Sequence, residues 1–145
     1  MSLPKVLVTG GLGAIGSFVV RRLLDEGHPV VVFSRQANFA LVPDLVGRLS
    51  HVAGDVQDRS ALEQAVREHG VRRIIHLAAA LGGGLEKDPP LGYRVNVLGS
   101  LNVFEVARDL GVERVVFTVP SRESDQVLPM LDHYAALVPK FAPPQ

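Results

Sequence analysis

The chain has no cysteine among its 145 residues, which excludes disulfides, a thiolate nucleophile and sulfur-ligated metals. Fifteen basic and fifteen acidic residues cancel, so no net positive field is available for a nucleic acid or an anionic membrane. The five histidines are widely separated in sequence, which predicts no metal site. Neither an apolar run of membrane-span length nor a secretory leader pattern is present. We therefore expect a cytoplasmic protein that binds neither nucleic acid nor membrane.

Short apolar, β-branched runs alternate along the chain with longer segments of helical period. Five of these runs are predicted strands, at residues 5–9, 29–33, 49–53, 73–77 and 114–118. Because they are apolar throughout, we expect them to be buried on both faces and joined by right-handed helical crossovers. The pattern predicts an α/β fold with a doubly wound parallel sheet in the order 3-2-1-4-5 and helices on both faces.

Three longer segments are predicted helices, at residues 14–26, at residues 60–69 and from Leu91 to Leu110. The second opens with Ser60 and Glu63 in the spacing of a capping box. Residues 37–48, interrupted by proline and glycine, are a weak helix at best. The spacing predicts that these side chains face the core: Ile15, Phe18, Val19 and Leu23 in the first helix, and Val97, Leu101, Phe104 and Ala107 or Arg108 in the third.

The composition of the chain changes after Thr118. Residues 119–145 hold five of the ten prolines and none of the fourteen glycines. We therefore expect a regular domain over residues 1–118, followed by an atypical proline-rich C-terminal segment over residues 119–145. The fifth strand would then be a sheet edge that can pair with another chain or with that segment.

Glycines dominate the turn between the first strand and the first helix. Gly11, Gly13 and Gly16 have the Gly-x-Gly-x-x-Gly spacing of a dinucleotide fingerprint, and Gly10 precedes them. A pyrophosphate can reach the N–H groups at a helix start only where no β-carbon intervenes. The alternative is a tight turn that binds no ligand. The candidate pyrophosphate-binding residues are Gly10, Gly11, Leu12, Gly13, Ala14, Ile15 and Gly16.

Ser34 and Arg35 stand at the end of the second strand, where an acidic residue would accept hydrogen bonds from the adenosine ribose of NAD. No acid is present there. Ser34 can hydrogen-bond a 2′-phosphate and Arg35 can form an ion pair with it. The sequence therefore favours NADP over NAD, the alternative being that both residues only begin a solvated turn.

Four motifs, taken in order, resemble the extended short-chain dehydrogenases/reductases of the NAD-dependent epimerase/dehydratase type. They are the run from Thr9 to Gly16, Gly54-Asp55-Val56 after the third strand, His76-Leu77-Ala78-Ala79 after the fourth, and the run from Asn96 to Asn102. The resemblance covers residues 5–118 and implies a Rossmann fold that binds a nicotinamide dinucleotide.

The resemblance also implies roles for residues outside the glycine turn. Asp55 and Val56 would bracket the adenine, and Asn96 would help to order the active-site backbone. The nicotinamide side would be flanked by Leu77, Ala78, Ala79 and Ala80. The alternatives are a turn aspartate, a solvent-facing asparagine and an apolar turn without a ligand, and His76 is expected to be a core histidine.

Members of this family act on nucleotide sugars or small carbonyl compounds, so the resemblance implies such a substrate. It further implies a homodimer formed through the helix from Leu91 to Leu110. These enzymes carry a hydroxyl residue after the fifth strand and a Tyr-x-x-x-Lys pair on the next helix. That spacing lets the lysine lower the pKa of the phenol from the same helix face.

This chain departs from the catalytic pattern. Thr118 or Ser121 only approximates the hydroxyl residue. Tyr134 and Lys140 would lie about 240° apart around a helix, which Pro139 would disrupt. Thr118, Ser121 and Tyr134 are therefore candidate catalytic residues of a site without its usual pair.

We expect an NAD(P)-binding domain whose catalytic site is incomplete. One alternative is an active NADP-dependent oxidoreductase or epimerase completed by another chain. The other is a non-catalytic module that senses the state of the cofactor or scaffolds an assembly.

Overall fold

A parallel sheet lies at the centre of the computed structural model, which describes residues 2–118. In chain order the strands are β1 Val6–Thr9, β2 Val30–Ser34, β3 Ser50–Ala53, β4 Arg73–His76 and β5 Arg114–Phe117. They lie in the sheet in the order β3-β2-β1-β4-β5, so that β2 and β3 are on one side of β1 and β4 and β5 are on the other. The predicted fold class and strand order are confirmed, and each predicted strand end lies within one residue of the observed one.

Helices cover both faces of this sheet. They are α1 Ala14–Asp25, α2 Arg59–Glu68, α3 Gly83–Lys87, α4 Pro89–Gly92 and α5 Gly99–Asp109. A π-helical stretch, Tyr93–Leu98, joins α4 to α5, and a short 3₁₀ helix spans Pro43–Leu45. The 3₁₀ helix is all that forms of the weak helix expected at residues 37–48. None of the helices described in residues 2–118 is long and apolar enough to cross a membrane.

The central strands β1 and β2 are buried on both faces, as their apolar composition predicts. The prediction is wrong for β3 and β5, which are partly exposed because they lie at the two edges of the sheet. Leu7 of β1 points to one side of the sheet, into a core that contains Leu62 of α2 and Val106 of α5. Val6 and Val8 point to the other side, where Val20 of α1 completes a second core. The alternation of strand side chains thus serves two cores in a three-layer structure.

The face that α1 turns to the sheet agrees only in part with the predicted one: Leu23 packs against the second core, as predicted. Ile15 and Phe18 are 65% and 78% exposed, whereas Gly16, Ser17 and Val20 are buried. The cause is a close backbone approach: a β-carbon at Gly16 would lie 2.3 Å from the carbonyl oxygen of Gly10. Gly16 packs against the end of β1, and this contact, rather than the hydrophobic pattern of α1, determines which residues of the first turn are buried.

The predicted core face of the last helix is right at Ala107, which is 6% exposed, and wrong at Val97 and Leu101. Val97 and Leu101 are 53% and 48% exposed, and the buried residues are Gly99, Val103, Val106 and Ala107. A β-carbon on Gly99 would lie 2.6 Å from Val56, so the helix again packs closest at a glycine. The π-helical stretch before α5 has more residues per turn than an α-helix, so it rotates the side chains of α5 around the helix axis. A uniform period of 3.6 residues therefore predicts the wrong buried positions.

The start of α2 uses a different cap from the predicted Ser60–Glu63 box. The side chain of Asp58 accepts a hydrogen bond from the backbone N–H of Ala61 at 3.1 Å. Ser60 lies inside the first turn, and Glu63 forms an ion pair with Arg67 instead. The helix therefore begins one residue earlier than the sequence pattern indicates.

Asp58→Ala should lower the free energy of unfolding by about 1 kcal/mol, because it removes the side chain that caps the N–H groups at the start of α2. Ser60→Ala is the matched control and should change the free energy by less than about 0.5 kcal/mol. Urea unfolding followed by circular dichroism measures both values. Equal losses in the two variants would contradict the assigned cap.

Candidate functional site

The candidate site lies at the carboxyl ends of β1, β2 and β4, where the strand order reverses. Ligands of doubly wound sheets bind at such a switch point. The N–H of Gly10 donates to the carbonyl of Phe33 at 3.1 Å, which ties the end of β1 to the end of β2. Gly10 also packs against the segment that follows β4, since a β-carbon on Gly10 would lie 2.9 Å from the backbone nitrogen of Ala78.

The glycines of residues 10–16, hereafter the glycine turn, are required for different reasons. Gly10 has a φ of +67° and Gly16 has no space for a β-carbon, so both serve the turn itself. Gly11 fits between the side chains of Val20 and Val32. Gly13 is exposed, and a β-carbon there would meet only the Gly10 carbonyl, at 3.3 Å. The fold therefore makes its weakest demand for glycine at position 13.

The start of α1 presents three unpaired backbone donors. The first hydrogen bond of the helix runs from the N–H of Ser17 to the carbonyl of Gly13, at 2.9 Å. The N–H groups of Ala14, Ile15 and Gly16 precede it and find no acceptor among the described residues. No acidic side chain occupies the first turn. The dipole and the free donors favour an anion at this end.

Ser34 and Arg35 lie at the end of β2, beside the glycine turn. The Ser34 hydroxyl donates to the carbonyl of Gln36 at 3.0 Å and also contacts Nε2 of His51 at 2.9 Å. The guanidinium of Arg35 is exposed and has no ion pair among residues 2–118. Sequence reasoning missed His51, although its place on β3, beside β2, follows from the predicted strand order.

Asp55 and Val56 follow β3 but face different surroundings. Asp55 is half-exposed; one of its carboxylate oxygens accepts from the backbone N–H of Gln57 at 2.9 Å, and both accept from the Gln57 side-chain amide at 3.3 Å. Val56 is only 5% exposed and packs against Gly99, and its carbonyl accepts from Asn102 at 2.9 Å. Asp55 is thus available to a ligand, whereas the side chain of Val56 belongs to the core. Their roles around an adenine stay predictions.

Residues 77–80, hereafter the β4 loop, are fixed at both ends. The N–H groups of Leu77 and Ala78 each donate to Oγ1 of Thr9 at 3.1 Å. At the other end, the Asn96 amide accepts from the N–H of Ala80 at 2.7 Å and donates to its carbonyl at 3.0 Å. Asn96 therefore holds the end of this loop, and its role at an active site stays a prediction.

His76 is 5% exposed and lies between Thr9 and the last long helix. Its Nδ1 is 2.6 Å from Oγ1 of Thr9, and its Nε2 is 3.0 Å from Oγ of Ser100. Burial lowers the pKa of His76 from its usual 6.5 to about 4, so the ring is neutral at pH 7. Thr9 and Ser100 occur in the sequence motifs, but nothing in the sequence indicates that they share this ring.

The predicted catalytic residues are only partly described. Thr118 is exposed and directly follows β5, at the same edge of the sheet as the glycine turn. Ser121, Tyr134 and Lys140 lie outside the described residues. Among residues 2–118, no group of three or more His, Asp or Glu side chains could hold a metal ion.

The glycine turn, the free donors of α1 and the strand order define a doubly wound dinucleotide-binding fold. The chain belongs to the NAD dependent epimerase/dehydratase family, whose model matches residues 6–133. The resemblance read from the sequence motifs is thereby confirmed.

Individual relatives agree with this assignment. UDP-glucose 4-epimerase of Mus musculus is 33% identical over 129 residues, which are 80% of this chain and 37% of that protein. The structure of Thermus thermophilus UDP-glucose 4-epimerase with NAD is 36% identical, with a TM-score of 0.70 over 82% of this chain and 41% of that one. Bordetella bronchiseptica WbmG, solved with NAD and UDP, is 32% identical, with a TM-score of 0.68 over 77% and 36%. This chain spans well under half the length of these relatives.

The free energy of unfolding should fall as the pH drops from about 6.5 to about 4, by roughly 3 kcal/mol from His76 alone. In this window the unfolded chain binds a proton at His76 that the folded protein excludes, so protonation favours unfolding. Stability from this group is complete above pH 6.5. Urea unfolding at a series of pH values tests this, with His76→Gln as the reference. The stability advantage of the wild type over the variant should shrink on acidification, and a constant difference would contradict the shift.

Proposed function

We propose that this chain binds a nicotinamide dinucleotide at the carboxyl ends of β1, β2 and β4. The pyrophosphate would lie against the glycine turn and accept from the free N–H groups of α1. The adenosine half would lie towards β2 and β3, and the nicotinamide half towards β4. This division follows from the two mononucleotide-binding halves of a doubly wound sheet.

Gly13 is the observation that carries the proposal. At this exposed position a β-carbon would meet only the Gly10 carbonyl, at 3.3 Å, so a small local shift admits a side chain, and the φ of −79° is one that any residue adopts. A pyrophosphate at the start of α1 would need that space, since a side chain would come between it and the backbone donors. The NAD complexes of two relatives that share this fold add support.

Gly13→Val should raise the dissociation constant for NADH and NADPH at least about tenfold, because its side chain would cover the N–H groups of α1. The fold should survive, with a stability loss below about 1 kcal/mol. Nicotinamide fluorescence measures binding and urea unfolding measures stability. Gly16→Ala is the contrasting variant: its β-carbon would lie 2.3 Å from the Gly10 carbonyl, so it should lose stability first. Unchanged affinity in a folded Gly13→Val protein would refute the proposed site.

We further propose that NADP is preferred over NAD. The end of β2 carries no carboxylate that would repel a 2′-phosphate. Arg35 is exposed and has no ion pair within the described residues, so its guanidinium is free for a charge-assisted contact. The Ser34 hydroxyl would have to turn from the Gln36 carbonyl to donate to the phosphate. Arg35 is therefore expected to contribute more than Ser34.

Arg35→Ala should weaken NADPH binding by about tenfold or more and leave NADH binding within about twofold, because only NADPH carries the 2′-phosphate. Arg67→Ala removes an exposed arginine from α2, away from the glycine turn, and is the matched control. Titrations of both cofactors against the three proteins give the comparison. A wild type that binds NADH more tightly, or an equal loss for both cofactors, would reverse the assignment to NADP.

Binding of a dinucleotide does not require a complete catalytic site. We propose that these 145 residues do not form a complete catalytic site, because they contain no Tyr-x-x-x-Lys sequence. A nucleotide-sugar or small carbonyl substrate, a cytoplasmic location and a domain boundary near Thr118 stay predictions. So does a homodimer, although the exposed side chains of Tyr93, Val97 and Leu101 would suit one formed through this helical region.

A further inference from the structure

We propose that His76 is a positioning residue, which as a neutral ring protonated on Nε2 holds the β4 loop against the nicotinamide half of the dinucleotide. The inference rests on the proposed function. Its basis is a continuous chain of hydrogen bonds that the ring completes. The chain runs from Thr9 to the ring at 2.6 Å, from the ring to Ser100 at 3.0 Å, and from the Ser100 hydroxyl to the carbonyl of Asn96 at 2.7 Å.

The direction of each hydrogen bond follows from the first member. Oγ1 of Thr9 accepts from the N–H of Ala78 and shares the N–H of Leu77 with the Thr9 carbonyl. With its lone pairs taken, the hydroxyl has only its hydrogen left, which it donates to Nδ1 of His76. A protonated Nδ1 would instead aim a third donor at the same oxygen.

The proton on the imidazole must then lie on Nε2. From there the ring donates to Oγ of Ser100, whose own hydrogen goes to the carbonyl of Asn96. Every donor in the chain has an acceptor, and the polarity runs one way from β1 to the helix. Only the neutral ring with this tautomer satisfies all of these contacts, in agreement with its burial.

The two ends of this series of hydrogen bonds, Thr9 and Asn96, hold the same stretch of backbone. Thr9 holds the start of the β4 loop at Leu77 and Ala78, while Asn96 holds its end at Ala80. Gly10 packs directly on Ala78, which connects the loop to the glycine turn. His76 is the link between these two anchors, so its loss would loosen the loop on the nicotinamide side.

A purely structural histidine would act differently from a positioning residue. The adenosine half would lie across β2 and β3, which the chain of hydrogen bonds does not reach. Loosening the β4 loop should therefore weaken whole dinucleotides and spare ligands that contain only the adenosine half. A general loss of stability would weaken both kinds of ligand together.

The test uses Ser100→Ala, which breaks the chain next to the ring, and Ser100→Thr, which keeps a hydroxyl at that position. Binding of NADH and NADPH is compared with binding of AMP and adenosine 2′,5′-bisphosphate, which lack the nicotinamide half. In Ser100→Ala the dissociation constants of the dinucleotides should rise at least about tenfold, with those of the adenosine ligands changed less than about twofold. Ser100→Thr should restore most of the loss.

Parallel weakening of all four ligands, or no weakening of the dinucleotides, would overturn the positioning role. A wild type that binds neither NADH nor NADPH would instead overturn the proposed function, and this is seen before any variant is made. A second measurement needs no variant: the ¹⁵N shifts of the His76 ring at neutral pH should report hydrogen on Nε2 and none on Nδ1. The opposite tautomer, or an imidazolium, would contradict the chain of hydrogen bonds.

Discussion

The close approach of Gly16 to Gly10 is the contact on which the rest of the structure depends. It brings the first turn of α1 onto the end of β1, with no space for a β-carbon between them. This approach selects the face of α1 that is buried and leaves Ile15 and Phe18 at the surface. It also directs the unpaired N–H groups of α1 to the carboxyl edge of the sheet, where β2 and β4 end on either side of β1. Helix packing and the proposed anion site therefore depend on the same contact, so a variant at position 16 cannot separate them and one at position 13 can.

The sequence is sufficient to predict the sheet, because its information is local. Each strand is a short and largely apolar run, and the intervening segments have a helical period, so order and handedness follow from general rules. The glycine turn is local too, since its spacing follows directly from the requirements of a tight strand-to-helix connection. The edge of the sheet where a ligand would bind is then fixed by topology. Ser34 and the residues after His76 reach this edge because they end neighbouring strands.

Helix faces and polar partners are harder to predict, because they depend on contacts between distant residues. Hydrophobic spacing treats a glycine as neutral, whereas Gly16 and Gly99 determine which side of each helix approaches its neighbours. The cap of α2 shows a similar limit, since Asp58 and Ser60 both suit a helix start and only the backbone geometry distinguishes them. The contact between His76 and Ser100 joins residues from different elements, and no spacing rule connects them.

The two halves of the candidate site differ in how firmly they are tied to the core. Thr9 is fully buried and His76 nearly so, and their hydrogen bonds run from β1 through β4 to the helix that carries Ser100. A substitution there removes a partner from a buried polar group, which costs about 1–3 kcal/mol. Arg35, by contrast, is exposed, and surface substitutions usually change stability by less than about 0.5 kcal/mol. A substitution at Arg35 can therefore alter the preference between a 2′-phosphorylated and an unphosphorylated ribose without disturbing the fold. The β4 loop has no such freedom, because the hydrogen bonds that would position the nicotinamide half also satisfy the buried polar groups of the core.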